Sequence, residues 1–514
     1  MTTDTTSPGA RIADLLVSAA HRHPEATALV VTADRTPFGY LSLSRLVDDM
    51  AGQLAGGGLR PGDRVGLRAP SGAEFVVALF GASRAGLVVV PLDPALPVAD
   101  QQDRIQAAGA RVVVVGDREP AATNDATFPS WPIAVAGDDR AVRVELDTSA
   151  EPYPPASAPA DLTPDDALIM FTGGTTGTPK MVPWTHDNIA SSVRNVIATY
   201  GLGPDDATIA VMPLFHGHGL IATLLSTLAS GGTVLIPARG RFSAHTFADD
   251  VRAAHATWFT AVPTIHQILL DRGATESGSA GGALRFIRSC SAALHPETAE
   301  ALQTQFAAPV LSAYGMTEAT HQVASTSDDE KVTTGLVGRP TGVEFRIVGD
   351  DGRSCPPDGI GEIWVRGPTV VRGYLANPTA TAQTFTDGWL HTGDLGSLSA
   401  TGELTLQGRI KELINRGGEK ISPERVEGVL VGHPKVVEAA VFGVPDRLYG
   451  ETVAAVIVPD QSAPPTSDEL AEYCRARLAA YEVPGNIEVI DELPHTAKGS
   501  VDRRAVAESF GKAV

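Results

Sequence analysis

FTGGTTGTPK, Phe171 to Lys180, is the stretch on which the reading of this chain turns. It follows an apolar run, Ala167 to Met170, that reads as a buried strand. It precedes a segment in which Ile189, Val193, Val196, Ile197 and Tyr200 fall on one helical face. In such a strand-to-helix loop, three glycines (Gly173, Gly174, Gly177) and four threonines, Thr172, Thr175 and Thr176 among them, bring backbone N–H groups and hydroxyls close to an anion. Lys180 closes the loop with a mobile cation. Pro179 breaks the Gly-Lys pair of a Walker loop, and no Ser or Thr follows Lys180. Taken singly, a Gly/Thr cluster is a polar surface turn. The three glycines, the closing Pro-Lys and the setting together point to phosphate.

Composition narrows the rest. A chain of 514 residues is too long for one core, so two or more domains are expected. The balance of 40 basic against 60 acidic residues gives −20, with no Lys/Arg-rich tract, which argues against nucleic-acid binding. An anionic ligand must therefore be held by local groups acting against the global field. Cys290, Cys355 and Cys474 are scattered and lack metal spacing, as suits a reducing compartment. No apolar run reaches bilayer-spanning length, and no signal peptide is evident at the start, so a cytoplasmic location is expected.

Along the N-terminal part, helical and strand patterns alternate. Ile12 to His23 reads as a helix and Ala28 to Val31 as a strand. Ser42 would cap a helix that turns Leu43, Leu46, Val47, Met50 and Leu54 inward. Val88–Pro91 and Val112–Val115 are continuous β-branched runs, typical of strands covered on both faces. Residues 151–164 read as a solvated connector. The βα rhythm then resumes, with Ser243 as a further cap and strand ends near 262, 289 and 313, where α/β proteins place ligands. After Gly335, short strands and Gly/Pro turns suggest a β-rich subdomain. The polar segment GRIKELINRGGEKISP (Gly408 to Pro423) separates it from a final α/β unit. The expected fold class is α/β: a large N-terminal domain, 1–408, of layered α/β subdomains plus the β-rich one, and a small mobile α+β C-terminal domain, 409–514.

Five motifs stand in a definite order: FTGGTTGTPK, YGMTE (Tyr314 to Glu318), WLHTGD (Trp389 to Asp394), GRIKELINRGGEKISP and LPHTAKGSVDRR (Leu493 to Arg504). In this order the chain resembles the adenylate-forming acyl-CoA synthetases over nearly its whole length. PLFHGHGL, AVPTIHQILLDR, RFIRSCSAAL and MTEATH are most similar to the oxalate–CoA ligases. The resemblance implies an ATP-dependent acid–CoA ligase that forms an acyl-adenylate and then the coenzyme A thioester. The runner-up is a fatty- or aryl-acid CoA ligase. Outside enzymes, the alternative is a nucleotide or acyl-CoA binding protein.

The same resemblance implies roles. The glycine loop and Lys180 would hold the β- and γ-phosphates; Tyr314, with Gly315, would stack on adenine; Thr317 would hydrogen-bond the α-phosphate. Glu318 would hold Mg²⁺ together with phosphate oxygens. Asp394 would accept the ribose hydroxyls, with Arg409 alongside. Lys411 would be the hinge about which the C-terminal domain turns, and Gly417 and Gly418 would pass close to the pantetheine arm of CoA. His216, Ser291 and His321 would bind a small dicarboxylate, with oxalate the best guess, through imidazolium and hydroxyl donors. His216 is counted with Thr317, Glu318 and Lys498 as catalytic, and His218 is expected to be secondary. A His-x-His metal site is the weaker reading, for want of further ligands.

One position departs from the pattern. The motif's lysine, which bridges carboxylate and α-phosphate, is replaced here by Ser500, and Lys498 stands two residues upstream. Losing one such contact costs on the order of 10²–10³ in rate. Lys498 is expected to reach in instead. Gly173, where many relatives carry a hydroxyl residue, leaves the loop one side-chain donor fewer.

Overall fold

The computed structural model describes residues 11–511 apart from 32–34, 117–127, 137–141, 156–158, 160, 173–178, 272–283, 461–463 and 496–500. Three sheets organise it. In the seven-stranded sheet, strands Arg64–Arg68, Val88–Leu92 and Val112–Val115 run parallel, joined by helices on its faces. The four valines of Val112–Val115 are all buried, as a strand covered on both sides requires. The connecting helix Ala73–Arg84 buries nearly every residue and packs against helix Tyr40–Gly56, whose Leu43, Leu46, Val47, Met50 and Leu54 face inward as the periodicity predicts.

The large sheet changes character along its path. Strands Trp258–Ala261, Phe286–Ser289 and Val310–Met316 are parallel neighbours. At His321–Ser325 the pairing turns antiparallel and continues through Leu336–Pro340 into the meander Glu344–Val348, Gly361–Arg366, Trp389–Leu398 and Leu404–Arg409. The β-rich part expected after Gly335 is thus hydrogen-bonded into the same sheet as the parallel strands.

A five-stranded sheet, Ile414–Arg416, Glu419–Ile421, Val436–Asp446, Gly450–Pro459 and Asn486–Val489, carries the C-terminal unit. It has its own core around Val426, Leu430, Val441, Ile457 and Leu470. Between it and the large sheet lies one short 3-10 turn, Ile410–Glu412.

Two expectations about boundaries are corrected. The helix expected to be capped by Ser42 starts at Tyr40 behind Gly39, and the one expected after Ser243 starts at Phe247. The third correction concerns the glycine loop. It does not lead into a helix: it joins strand Asp166–Phe171 to an antiparallel strand, Met181–Thr185, and the helix His186–Tyr200 follows only then. Met181, Val182 and Trp184 are buried β-formers, and Pro183 is tolerated because this strand is the sheet's edge. No helix among the described residues is long and apolar enough to cross a membrane.

Candidate active site

The ends of the parallel strands set out the site. Thr260 stands opposite Arg288, and Ser289 opposite Ser312. Just beyond, Ser291 turns out of the sheet in the left-handed region (φ 74°), as do Thr320 (50°) and His321 (83°) on the facing turn. Three non-glycine residues in this region close together store backbone strain, which clusters where function over-determines geometry. Gly315 permits the turn: a Cβ there would lie 1.5 Å from the His321 carbonyl oxygen. His218 opens an eight-residue π-helix, His218–Leu225, a wide-turn form that recurs at functional sites.

These elements converge on a guanidinium. Arg288 is fully buried and forms no ion pair with a carboxylate among the described residues. Its Nε–H donates to the Tyr200 hydroxyl at 2.9 Å, and Nη2–H to Gln322 Oε1 at 2.9 Å and His321 Nε2 at 3.1 Å. Nη1–H donates to Thr260 Oγ1 at 3.0 Å and points at His218 Nε2, 3.2 Å away. Every N–H of the fork is satisfied by neutral groups, but its charge is not compensated.

That charge fixes the state of the histidines. Burial, then Arg288, pushes both His218 and His321 well below the usual imidazole range, so both are neutral at neutral pH. The imidazolium expected at His321 is therefore corrected: the cation of this cluster is Arg288. An imidazole that accepts at Nε2 carries its proton on Nδ1. The His218 Nδ1–H then donates to Ser291 Oγ, 3.1 Å away, which leaves the hydroxyl proton of this exposed serine to be donated outward. The two rings stack with centroids 5.2 Å apart. His218, expected to be secondary, is the histidine bonded to Ser291. His216 lies half-buried, edge-on to Phe215, near enough to His218 to bear on its protonation. Sequence reasoning missed Arg288, Tyr200, Thr260 and Gln322; the available signal was a charge in the middle of the apolar strand Phe286–Ser289.

Beside this pocket the remaining motifs assemble. The turn Thr317–Ala319 is pinned from behind, the Trp184 indole N–H donating to the Thr317 carbonyl at 2.7 Å. Glu318, half-buried, accepts from the Tyr374 hydroxyl at 2.9 Å. Lys180 Nζ sits 4.4 Å from the centroid of the Tyr374 ring. Thr172 and Lys180 close the base of the glycine loop, Thr172 N–H donating to the Lys180 carbonyl at 3.1 Å; Gly173, Gly174, Thr175, Thr176 and Gly177 lie outside the described residues. Asp394 is buried, and accepts from Tyr314 Oη at 2.5 Å and Arg409 Nε at 2.9 Å. Arg409 and Asp394 are register partners on adjacent strands, so this pairing is a property of the sheet. Burial raises the Asp394 carboxyl above its ordinary value, against the pull of Arg409 and Tyr314.

Residues 16–375 match the AMP-binding enzyme family, and residues 425–500 match the AMP-binding enzyme C-terminal domain. The chain belongs to the AMP-binding enzymes. It is 40% identical over 508 residues to the oxalate–CoA ligase of Arabidopsis thaliana, covering 97% of this chain and 98% of that one. It is 36% identical to the oxalate–CoA ligase of Saccharomyces cerevisiae, covering 94% and 95%. The ATP-bound structure of MatB from Rhodopseudomonas palustris superposes with a TM-score of 0.84 at 28% identity, over 97% of this chain and 99% of that one. The enzyme is accordingly an AMP-forming acid–thiol ligase with ATP and CoA as cosubstrates.

In this AMP-binding enzyme Lys411 is exposed within the turn that links the two units. Gly417 (φ 61°) and Gly418 (φ 97°) form the two-residue turn between strands Ile414–Arg416 and Glu419–Ile421, which by itself requires positive φ at both positions. Lys498 and Ser500 lie outside the described residues; the segment holding them is closed at its base by a bridge between His495 and Val501. Among the described residues no group of three or more His, Cys, Asp or Glu side chains is arranged to hold a metal. Glu318 is a single carboxylate that shares the Tyr374 side chain with Lys180 of the glycine loop. That donor set fits Mg²⁺, which is bound through one or two carboxylates plus phosphate oxygens.

Proposed function

We propose that this enzyme activates a small dicarboxylate, oxalate being the best fit, as an acyl-adenylate and then transfers it to coenzyme A. The observation that carries this reading is Arg288, a buried cation without an anionic partner. An unmatched buried charge costs several kcal/mol, and a bound dianion offsets that cost. The second carboxylate of the acid would lie against Ser291 and His321, whose donors are polarised by the guanidinium behind them, with His216 at the rim. A fatty-acid tunnel would be apolar at these positions. The relatives named as oxalate–CoA ligases support the same choice.

In the first half-reaction the reacting carboxylate attacks the α-phosphate, so the protein must neutralise and align charge more than form bonds to the substrate. Thr317 would hydrogen-bond the α-phosphate. Tyr314, with Gly315, would face the adenine and Asp394 with Arg409 the ribose. The glycine loop with Lys180 would hold the leaving pyrophosphate. Glu318 would hold Mg²⁺, which supplies charge neutralisation on the phosphates. Lys498 would take the place of the lysine missing at Ser500. The C-terminal unit, 409–514, would turn about Lys411 and bring Gly417 and Gly418 to the pantetheine arm.

CoA- and acid-dependent AMP release across a panel headed by oxalate tests this reading. Oxalate is expected to lead, with medium-chain fatty acids inactive; comparable rates on the two would sink the specificity. Replacing the guanidinium by a neutral chain, Arg288→Met, is expected to raise KM for oxalate by roughly 10–100-fold, the cost of a lost buried charge interaction, while KM for ATP stays within about twofold.

A further inference from the structure

Lys180 and Glu318 carry opposite charges, belong to two different motifs and touch the same side chain. The ring of Tyr374 takes the Lys180 ammonium at 4.4 Å from its centroid, and its hydroxyl donates to Glu318 Oε1 at 2.9 Å. Among the described residues no ion pair joins Lys180 to Glu318. Tyr374 is only 5% exposed and is set edge-on to Phe385, with centroids 5.7 Å apart. Its segment is laced at both ends to the groups it holds: Val371 N–H donates to the Glu318 carbonyl at 2.9 Å, and Leu375 N–H to the carbonyl of Met181, next to Lys180, at 3.0 Å.

An ammonium and a carboxylate that could meet would neutralise each other, and each would then be lost to its ligand. A ring face holds a cation more weakly than a phosphate oxygen does, so Lys180 is parked there without being trapped. A carboxylate has about four lone-pair sites, and one bond from a phenol leaves the others for a cation.

We propose that Tyr374 is a positioning residue for nucleotide binding that keeps Lys180 and Glu318 apart, the ring reserving the lysine for phosphate and the hydroxyl orienting the carboxylate for its divalent cation. The proposal rests on the assignment of phosphate to Lys180 and of Mg²⁺ to Glu318.

Calorimetric titration of the full-length protein with ATP, without acid or CoA, separates the two halves of the proposal. Tyr374→Phe keeps the ring: it is expected to raise the Mg²⁺ concentration for half-maximal enhancement of ATP binding about 5–10-fold, with ATP binding in EDTA unchanged. Tyr374→Leu removes the ring as well and is expected to weaken ATP binding in EDTA at least threefold, because Lys180 then pairs with Glu318. Adding Glu318→Gln to Tyr374→Leu restores that binding. Unchanged Mg²⁺ dependence in Tyr374→Phe, or EDTA binding in Tyr374→Leu that stays at the parent level or is not restored by the second change, overturns the proposal. Glu318→Gln alone isolates the underlying assignment. If it leaves the Mg²⁺ dependence intact, the metal reading of Glu318 fails; if it shifts that dependence and Tyr374→Phe does not, only the role of Tyr374 fails.

Discussion

At the scale of single residues, the cluster around Arg288 is governed by what burial does to charge. Arginine cannot lose its proton, whereas histidine can. Around Arg288 the imidazoles therefore yield, and His218 and His321 are neutral. His266, on the helix Pro263–Asp271 and fully buried, is likewise pushed down to about 4 by burial. Because its folded value lies below its ordinary 6.5, the unfolded chain takes up the proton first as pH falls. Stability is then complete above about pH 6.5 and is lost between there and about 4, at about 1.4 kcal/mol per pH unit for each such histidine. Urea unfolding at pH 7, 6 and 5 is expected to show this steep loss, and His266→Phe to flatten it by about one histidine's share. A profile unchanged by the substitution would contradict the assignment.

At the scale of elements, the decisive feature is the reversal from parallel to antiparallel pairing at strand His321–Ser325. It places Tyr314, Thr317, Glu318 and His321 on one short excursion, and it depends on close backbone approach at Gly315. Gly315→Ala puts a methyl group within bonding distance of a carbonyl oxygen, which the ladder can relieve only by separating. The expected result is a loss of more than about 3 kcal/mol, beyond the usual range for one substitution. It is measured by thermal unfolding, and a variant with parental Tm would show that the turn has slack. The YGMTE motif was legible in the sequence, but the strand Met181–Thr185 was not. Pro183 hides it from a propensity reading, and only pairing to Asp166–Phe171 on an edge makes it a strand.

At the scale of the whole molecule, Arg503 joins three elements of the C-terminal unit. It pairs with Glu412 in the linking turn at 2.5 Å, and with Glu424 at 3.0 Å and Glu427 at 2.6 Å on helix Pro423–Val431. Three carboxylates share one guanidinium, so removing it leaves uncompensated negative charge. Arg503→Met is expected to destabilise this unit by about 1–3 kcal/mol, discounted from a fully buried pair for solvent contact. Glu412→Gln added to it should recover part of the loss, which limited proteolysis under rising urea would follow; absence of recovery would mean the charge balance is immaterial. The same clamp ties residue 412 to the C-terminal unit, so a swivel at Lys411 would lie on its N-terminal side. Pyrophosphate exchange on Lys498→Ala and Ser500→Lys then reports on the second half of the site. If Lys498 replaces the missing lysine, exchange falls on the order of 10²–10³ in the first variant; unchanged exchange removes Lys498 from the chemistry.

The class of reaction was legible through the family resemblance that five ordered motifs carry, and the continuous α/β rhythm through local apolar period. The sequence singled out His216, Ser291 and His321 as candidates to hold the acid. Where the charge of the Arg288 cluster resides follows from tertiary packing alone. Arg288 comes from one strand, His218 from a π-helix and His321 from the reversed strand, and their protonation depends on a shared desolvation that no linear pattern records. The fate of FTGGTTGTPK divides the same way. The expectation of phosphate came from its glycines, threonines and closing lysine, while its seat between two antiparallel strands, with Lys180 held over Tyr374 from nearly two hundred residues away, came from long-range packing.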